Sequence, residues 1–225
     1  MTAETIESVV LSAPAERGMA KRSSKVAAKR EELARAAFKT LSELGYAGTS
    51  LRDIAANSEY SHGVLHYYFA DKLDLITHCV RLYKAECVAA YDDVLDDVDD
   101  AETLRQRFVR RLVDTAVDEL PTHKLWYDLR IQSMFEPLLV VGVREIDEEL
   151  CAMIWRVVSR YAELAGGVPV LDAPGMYAAF DGPFERAVRR LAAGESAAAD
   201  DLFDQLDALL GALVPVASES LPARG

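Results

Sequence analysis

The sequence predicts an all-α protein of about nine helices. Two observations carry that reading. Apolar residues recur at i, i+3, i+4 and i+7 along most of the 225 residues. No segment sustains the apolar–polar alternation of a half-buried strand. A third, the placing of Pro and Gly, divides the periodic stretches into pieces of helical length. The chain is 51% apolar, enough for a sizeable core, and no apolar run approaches the roughly 18 residues of a membrane helix. We expect a loose arm over residues 1–24, a three-helix domain over 25–71, a larger helical domain over 72–217 and a loose tail over 218–225.

Taken in order, the first twenty residues are small and polar, contain Pro14 and Gly18, and show no sustained period. They lack the basic start and apolar stretch of a secretory signal. The segment KRSSKVAAKR leads into the first helix, whose stripe is Leu33, Ala37, Phe38, Leu41 and Leu44 and whose C-terminal cap is Gly45. Thr49 or Ser50 caps the second helix, because a side-chain oxygen there accepts from an otherwise unpaired N–H. Asp53 suits its dipole, and Leu51, Ile54 and Ala55 form its stripe, leaving Ser50 and Arg52 outward. The third helix starts at Ser61. Val64, Leu65, Tyr68 and Phe69 share one side; His62, His66 and Tyr67 lean the other way. Gly63 is a poor helix former, and its place at the front of this helix suits a close approach of backbone to a partner.

The fourth helix runs over 72–91 on Leu73, Ile76, Val80, Tyr83, Cys87 and Tyr91. An acidic break, DDVLDDVDD, follows without the spacing of a calcium loop. A helix over 101–120 buries Leu104, Phe108, Leu112 and Ala116; Pro121 stops it and Thr122 caps the next, HKLWYDLRIQSMFE. Pro137 interrupts, a long helix then reaches Leu164, and Gly166-Gly167 closes it. The last two helices span 174–193 and 196–214, with a kink or break expected at Asp181-Gly182-Pro183.

Charge is unevenly spread. The net charge is −12, yet residues 1–74 hold ten Lys/Arg and ten Asp/Glu, so all the excess acid lies beyond them. Between Arg17 and Lys39 there are eight basic and two acidic residues. A basic segment with an acidic remainder suits a protein that presents one face to nucleic acid. Cys79, Cys87 and Cys151 are three in number and widely spaced, which argues for reduced thiols in a cytoplasmic protein rather than a disulfide framework or zinc site. Cys79 and Cys87, eight apart, can share a helix face as core residues. We find no Ser/His/Asp order, no metal-ligand spacing and no Gly-rich phosphate loop, and so expect no catalytic residues, no metal and no cofactor. His123, at a helix start, reads as a surface residue.

Residues 45–75 therefore read as a helix-turn-helix: two short helices, a tight turn and a second helix whose N-terminal part can enter a major groove. The segment over residues 29–75 resembles the DNA-binding domain of the tetracycline-repressor (TetR) family. The resemblance rests on Ala36-Ala37, Gly45-Tyr46, Thr49-Ser50, Arg52-Asp53-Ile54-Ala55, Ser61-x-Gly63-x-Leu65-x-Tyr67-Tyr68-Phe69 and Lys72-x-x-Leu75, an ordered set over about a fifth of the chain. Two positions depart from it. Ser58-Glu59-Tyr60 stands where the family has Ala-Gly-Val, and a non-Gly residue at 59 would be strained in the left-handed conformation of that turn. His66 stands where the family commonly has Tyr.

The resemblance implies a dimeric, ligand-responsive transcriptional regulator on a palindromic double-stranded operator. His62, Val64, His66 and Tyr67 would face bases. Thr49, Ser50, Arg52, Tyr68 and Lys72 would face phosphates, with Ser61 and Gly63 at the front of the reading helix. It also implies a homodimer built on the last two helices, and an effector between helices of the larger domain. The expected walls there are Trp126, Tyr127, Arg130, Met134, Phe135, Met153, Trp155 and Phe180. The expected effector is a small apolar or aromatic compound, with a carboxylate if Arg130 meets it. The alternative partners for Arg130 are Asp128, Glu136 and Asp181, since a buried Arg needs an acid. Rival readings are a DNA binder without a ligand and an all-helical enzyme.

Overall fold

In a computed structural model, the chain is described over residues 3–89 and 91–215, with side chains from Arg22 onward except at 84, 86, 87 and 92. The described residues form nine α-helices and no strand. They are α1 (Ala3–Gly48), α2 (Leu51–Ala56), α3 (His62–Tyr68), α4 (Lys72–Ala89), α5 (Ala101–Asp118), α6 (Leu120–Gln132), α7 (Val140–Ala165), α8 (Ala173–Ala192) and α9 (Ala198–Leu213). Short 3-10 turns cover Asp92–Leu95 and Pro137–Leu139. No described helix is long and apolar enough to cross a membrane. The expected loose tail over 218–225 lies outside the described residues, as does the side chain of Cys87 and hence its expected shared face with Cys79.

The chain divides into two compact units, Met1–Leu82 and Tyr83–Gly225. The division falls inside α4, later than the expected boundary at 71–72. The cause is burial: Leu75, Ile76, Cys79 and Val80, on the first half of α4, are core residues of the first unit. Helical backbone also begins at Ala3, where a loose arm was expected over 1–24. Ala, Glu, Ser and Arg dominate that stretch, and outside Pro14 and Gly18 little in it opposes a helix.

The core of the first unit is Leu33, Ala34, Ala37 and Leu41 of α1, Leu51 and Ile54 of α2, Leu65 of α3, Phe69, and the α4 residues above. Of the expected α1 stripe, Leu33, Ala37 and Leu41 are buried, Phe38 is half-buried and Leu44 is exposed, while Ala34 joins the core. At Gly45 the backbone leaves the helix with φ 73° and ψ 176°, a conformation open to Gly.

The core of the second unit joins α5, α7, α8 and α9 around Phe108, Val157, Phe180, Leu206 and Leu210. The acidic break contributes inward through Val94 and Val98, which an all-solvated loop would not. Three sequence expectations are corrected here. Pro121 does not stop α5 ahead of a cap at Thr122; it lies in the first turn of α6, where its missing N–H has no helical partner to lose. Asp181-Gly182-Pro183 does not break α8, which runs from Ala173 to Ala192 with Pro183 inside it. Buried Phe180 and Phe184 flank the proline and hold the helix across the missing hydrogen bond. His123 is not a surface residue but 7% exposed, with its ring edge-on to Phe184 at 4.8 Å.

Candidate nucleic-acid interface and ligand cavity

In the first unit the geometry of α2 and α3 is fixed by local chemistry. Ser50 caps α2 through a reciprocal pair: its N–H donates to Asp53 Oδ2 at 2.8 Å, and its Oγ accepts from the Asp53 N–H at 3.3 Å. The Ser50 hydroxyl, which also donates to Asp53 Oδ2 at 2.5 Å, and the Ser50 N–H hold the Asp53 carboxyl below its usual range. Ser61 caps α3, its Oγ accepting from the Val64 N–H at 3.3 Å. The turn between the helices forms without a left-handed residue at 59, since Asp97 is the one non-glycine with positive φ among the described residues. Ser58 Oγ accepts from the Tyr60 N–H at 3.3 Å, closing the turn. The Tyr60 hydroxyl then donates to Glu32 of α1, and the Lys29 ammonium lies 4.5 Å from the Tyr60 ring centroid. An aromatic anchor to α1 thus follows directly on Glu59, the position where Gly is missing. The Glu32 carboxylate pushes the Tyr60 phenol up to about 12.

The far end of α3 is tied down by Arg30. Its guanidinium donates to the Tyr68 carbonyl at 2.5 Å and to Asp74 Oδ1 at 2.6 Å, and lies 4.3 Å from the Phe69 ring centroid. Leu65 and Phe69 are fully buried beneath it. What remains outward is the face of His66 and Tyr67, with half-buried His62 beside them. Tyr67 is 80% exposed, and the two imidazoles meet edge-on at 4.4 Å. Ser50, Arg52, Ser61 and Gly63 are also exposed, while Val64 and Tyr68 are half-buried.

Two expected phosphate contacts sit differently. Thr49 is 3% exposed and its hydroxyl donates to the Gly45 carbonyl at 2.7 Å. Its hydroxyl is thereby spent on closing the turn after α1. Lys72 donates to the Tyr46 carbonyl at 2.8 Å and rides over the Tyr46 ring at 4.2 Å, so its ammonium is already engaged within the unit.

In the second unit a cavity of about 60 Å³ opens between α5, α6, α7 and α8. That is several times the roughly 10–15 Å³ that admits one water. Trp126, Tyr127, Met153 and Phe180 line it as expected. Sequence reasoning missed Tyr91, His123, Tyr177, Asp181 and Phe184, which also line it. Tyr91 was readable only as a stripe residue of α4, and its hydroxyl is within 3.0 Å of Thr115 Oγ1 in the wall. Met134 and Phe135 do not line it. They are 72% and 79% exposed, because α6 ends at Gln132 and the chain turns before them. Trp155 faces a separate surface groove.

Arg130 is held by acids. Its Nη1 lies 2.7 Å from Asp181 Oδ2, and its Nε lies 3.7 Å from Asp147 Oδ1. Asp181 is one of the three partners the sequence allowed. Tyr127 donates to Asp181 Oδ1 at 2.9 Å and Tyr177 donates to Asp147 Oδ1 at 2.8 Å. Burial and the neighbouring carboxylates push both phenols far up, so both stay neutral donors. Burial disfavours the Arg130 charge, yet Asp181 and Asp147 raise its pKa further and keep it protonated. The network carries two carboxylates against one guanidinium. Asp181 lines the cavity, and the guanidinium that pairs with it does not.

A capped helix pair with an outward polar-aromatic face, on a scaffold of two further helices, has the form of a helix-turn-helix. Comparison with known proteins gives the family. The family description "Bacterial regulatory proteins, tetR family" matches residues 33–79. The HTH-type transcriptional regulator BetI of Burkholderia thailandensis is 30% identical over 176 residues, covering 73% of this chain and 89% of that protein. The chain belongs to the TetR family of transcriptional regulators. Among solved structures, a TetR regulator from Haloarcula marismortui superposes with a TM-score of 0.69 at 18% identity, covering 83% of this chain and 99% of that one. A regulator from Saccharomonospora viridis solved with choline superposes at 0.68, also with 18% identity, covering 83% and 97%. At that identity the two structures speak for the fold.

Proposed function

We propose that this protein is a homodimeric, ligand-responsive repressor that reads a palindromic operator with α3. The observation that carries the reading is the outward face of His66 and Tyr67, with half-buried His62 beside them, on a helix whose two ends are fixed by Ser61 and Arg30. A rigid helix with spare donors and acceptors is what direct readout in a major groove requires. Ser50, Arg52 and Ser61 would contact phosphates beside it. Two copies paired through α8 and α9 would space two half-sites by a helical turn or a multiple, about 34–36 Å or more. The reading places the protein in the cytoplasm.

The effector would enter the cavity of the second unit and favour a dimer whose reading helices are wrongly spaced. Aromatic walls suit an apolar or aromatic body. Asp181 faces the cavity while Arg130 is engaged behind it, so a positive charge fits better than a carboxylate. Aromatic faces with a nearby acid suit an ammonium group in particular. The choline found in the Saccharomonospora regulator supports that ligand class for the fold.

The test is an operator-binding assay with His66→Ala and Tyr67→Ala. Both positions are exposed, so both variants should fold. Each should weaken specific binding by about 1–3 kcal/mol while leaving non-specific binding unchanged. Equal loss on specific and random duplexes would place the reading face elsewhere.

A further inference from the structure

The aromatic cavity has a neighbour. Against the outer side of α7 and the start of α8 lies an open groove of about 700 Å³, walled by Val140, Val143, Trp155 and Pro174 with Asp147 at its side. Tyr177 lines both spaces. Its ring is half-buried, and a single hydrogen bond from its hydroxyl to Asp147, 2.8 Å long, holds it between them. The same Asp147 neighbours Arg130, which holds Asp181 in the cavity wall. One polar network therefore borders both spaces. The inner space, at about 60 Å³, admits only a compact group, whereas the outer one is open and mostly apolar, with Arg144, Asp147 and Glu148 as its charged residues.

We propose that cavity and groove are one bipartite site for an amphiphilic cation. Its ammonium head sits among Trp126, Tyr127 and Phe180 beside Asp181. Its apolar chain passes Tyr177 and lies along Val143 and Trp155. The proposal rests on the reading of the cavity as the effector site. It extends that reading to a ligand with a tail, and it gives Trp155 a binding role outside the cavity.

The experiment is titration calorimetry of the full-length protein with tetramethylammonium and with n-alkyltrimethylammonium ions of rising chain length, kept below their micelle concentrations. A methylene leaving water strengthens binding by up to about fourfold. Affinity should rise about two- to fourfold per methylene until the groove is filled. Trp155→Ala and, separately, Val143→Asn should flatten the rise and leave tetramethylammonium binding unchanged. Two variants are used because Trp155 packs partly against the core. A flat series in the unaltered protein, with tetramethylammonium still bound, would overturn the bipartite site and leave the cavity reading intact. An unchanged slope in both variants would also overturn it, since the chain would then lie elsewhere. A flat series with weaker binding on concentrating the protein would assign the groove to a second copy of the chain. No binding by any member, tetramethylammonium included, would remove the cavity reading itself.

Discussion

Arg30 shows how much of the reading helix is decided by a residue outside it. It joins the Tyr68 carbonyl, the Phe69 ring and Asp74, three groups at the junction of α3 and α4. Arg30→Ala should destabilise the protein by about 1–3 kcal/mol, because it strands a half-buried carboxylate and a carbonyl that a charged donor now satisfies. Chemical denaturation measures this, and no change would mean that water replaces the guanidinium without cost. The pH dependence follows from the other partner. Burial alone would raise the Asp74 carboxyl, but Arg30 and the Ala70 N–H hold it below its ordinary value of 3.8. A depressed folded value stabilises above the unfolded pKa and is lost as pH falls through the folded one. The stability gap between the unaltered protein and Asp74→Asn should therefore be full at neutral pH and shrink below about pH 4. A gap that persists unchanged to pH 2 would contradict the ion pair. Arg30 was legible as one of a run of basic residues. Its pairing was not, since Asp74 lies 44 positions away and nothing in the sequence's spacing links the two.

Element by element, the helices were legible because each buries one stripe, and a stripe is a local pattern. Ser50 and Ser61 were legible for the same reason, as caps next to the residues they serve. Ser50→Ala should cost about 1 kcal/mol, measurable as a lowered denaturation midpoint, since it opens one half of the reciprocal cap. A midpoint equal to that of the unaltered protein would mean that α2 is held by packing alone. The prolines were misread because their effect depends on what surrounds them. Pro121 sits where a helix has a spare N–H, and Pro183 sits in a helix clamped by buried Phe180 and Phe184. Pro183→Ala restores a donor for the Ala179 carbonyl and should stabilise α8, by up to about 3 kcal/mol. A lower stability would mean that the proline's own shape is needed there. The turn at residues 58–60 follows the same lesson: the sequence flagged the missing Gly, and the remedy, Tyr60 reaching Glu32 on α1, needed the fold to be seen.

For the whole molecule, the division of labour was legible from charge: ten basic residues balance ten acidic ones over residues 1–74, and the acid excess lies beyond. The ligand cavity was half legible. Trp126, Tyr127, Met153 and Phe180 were readable as large side chains on inward stripes, but Tyr91, just after α4, and Tyr177 and Phe184, both on α8, meet them only through packing. Met134 and Phe135 followed the same stripe on paper and fell beyond the helix end. An electrostatic contribution from the basic α1 segment and Arg52 predicts that the logarithm of operator affinity falls linearly with the logarithm of salt concentration. The central claim is that α3 reads a specific sequence as one of a symmetric pair. The measurement that tests it most directly is selection of bound duplexes from a random pool by the full-length protein, at stated salt, followed by sequencing. The account predicts a palindrome with half-sites a helical turn or more apart, lost in His66→Ala. Recovery of bound DNA with no shared motif, at low salt and without effector, would contradict it.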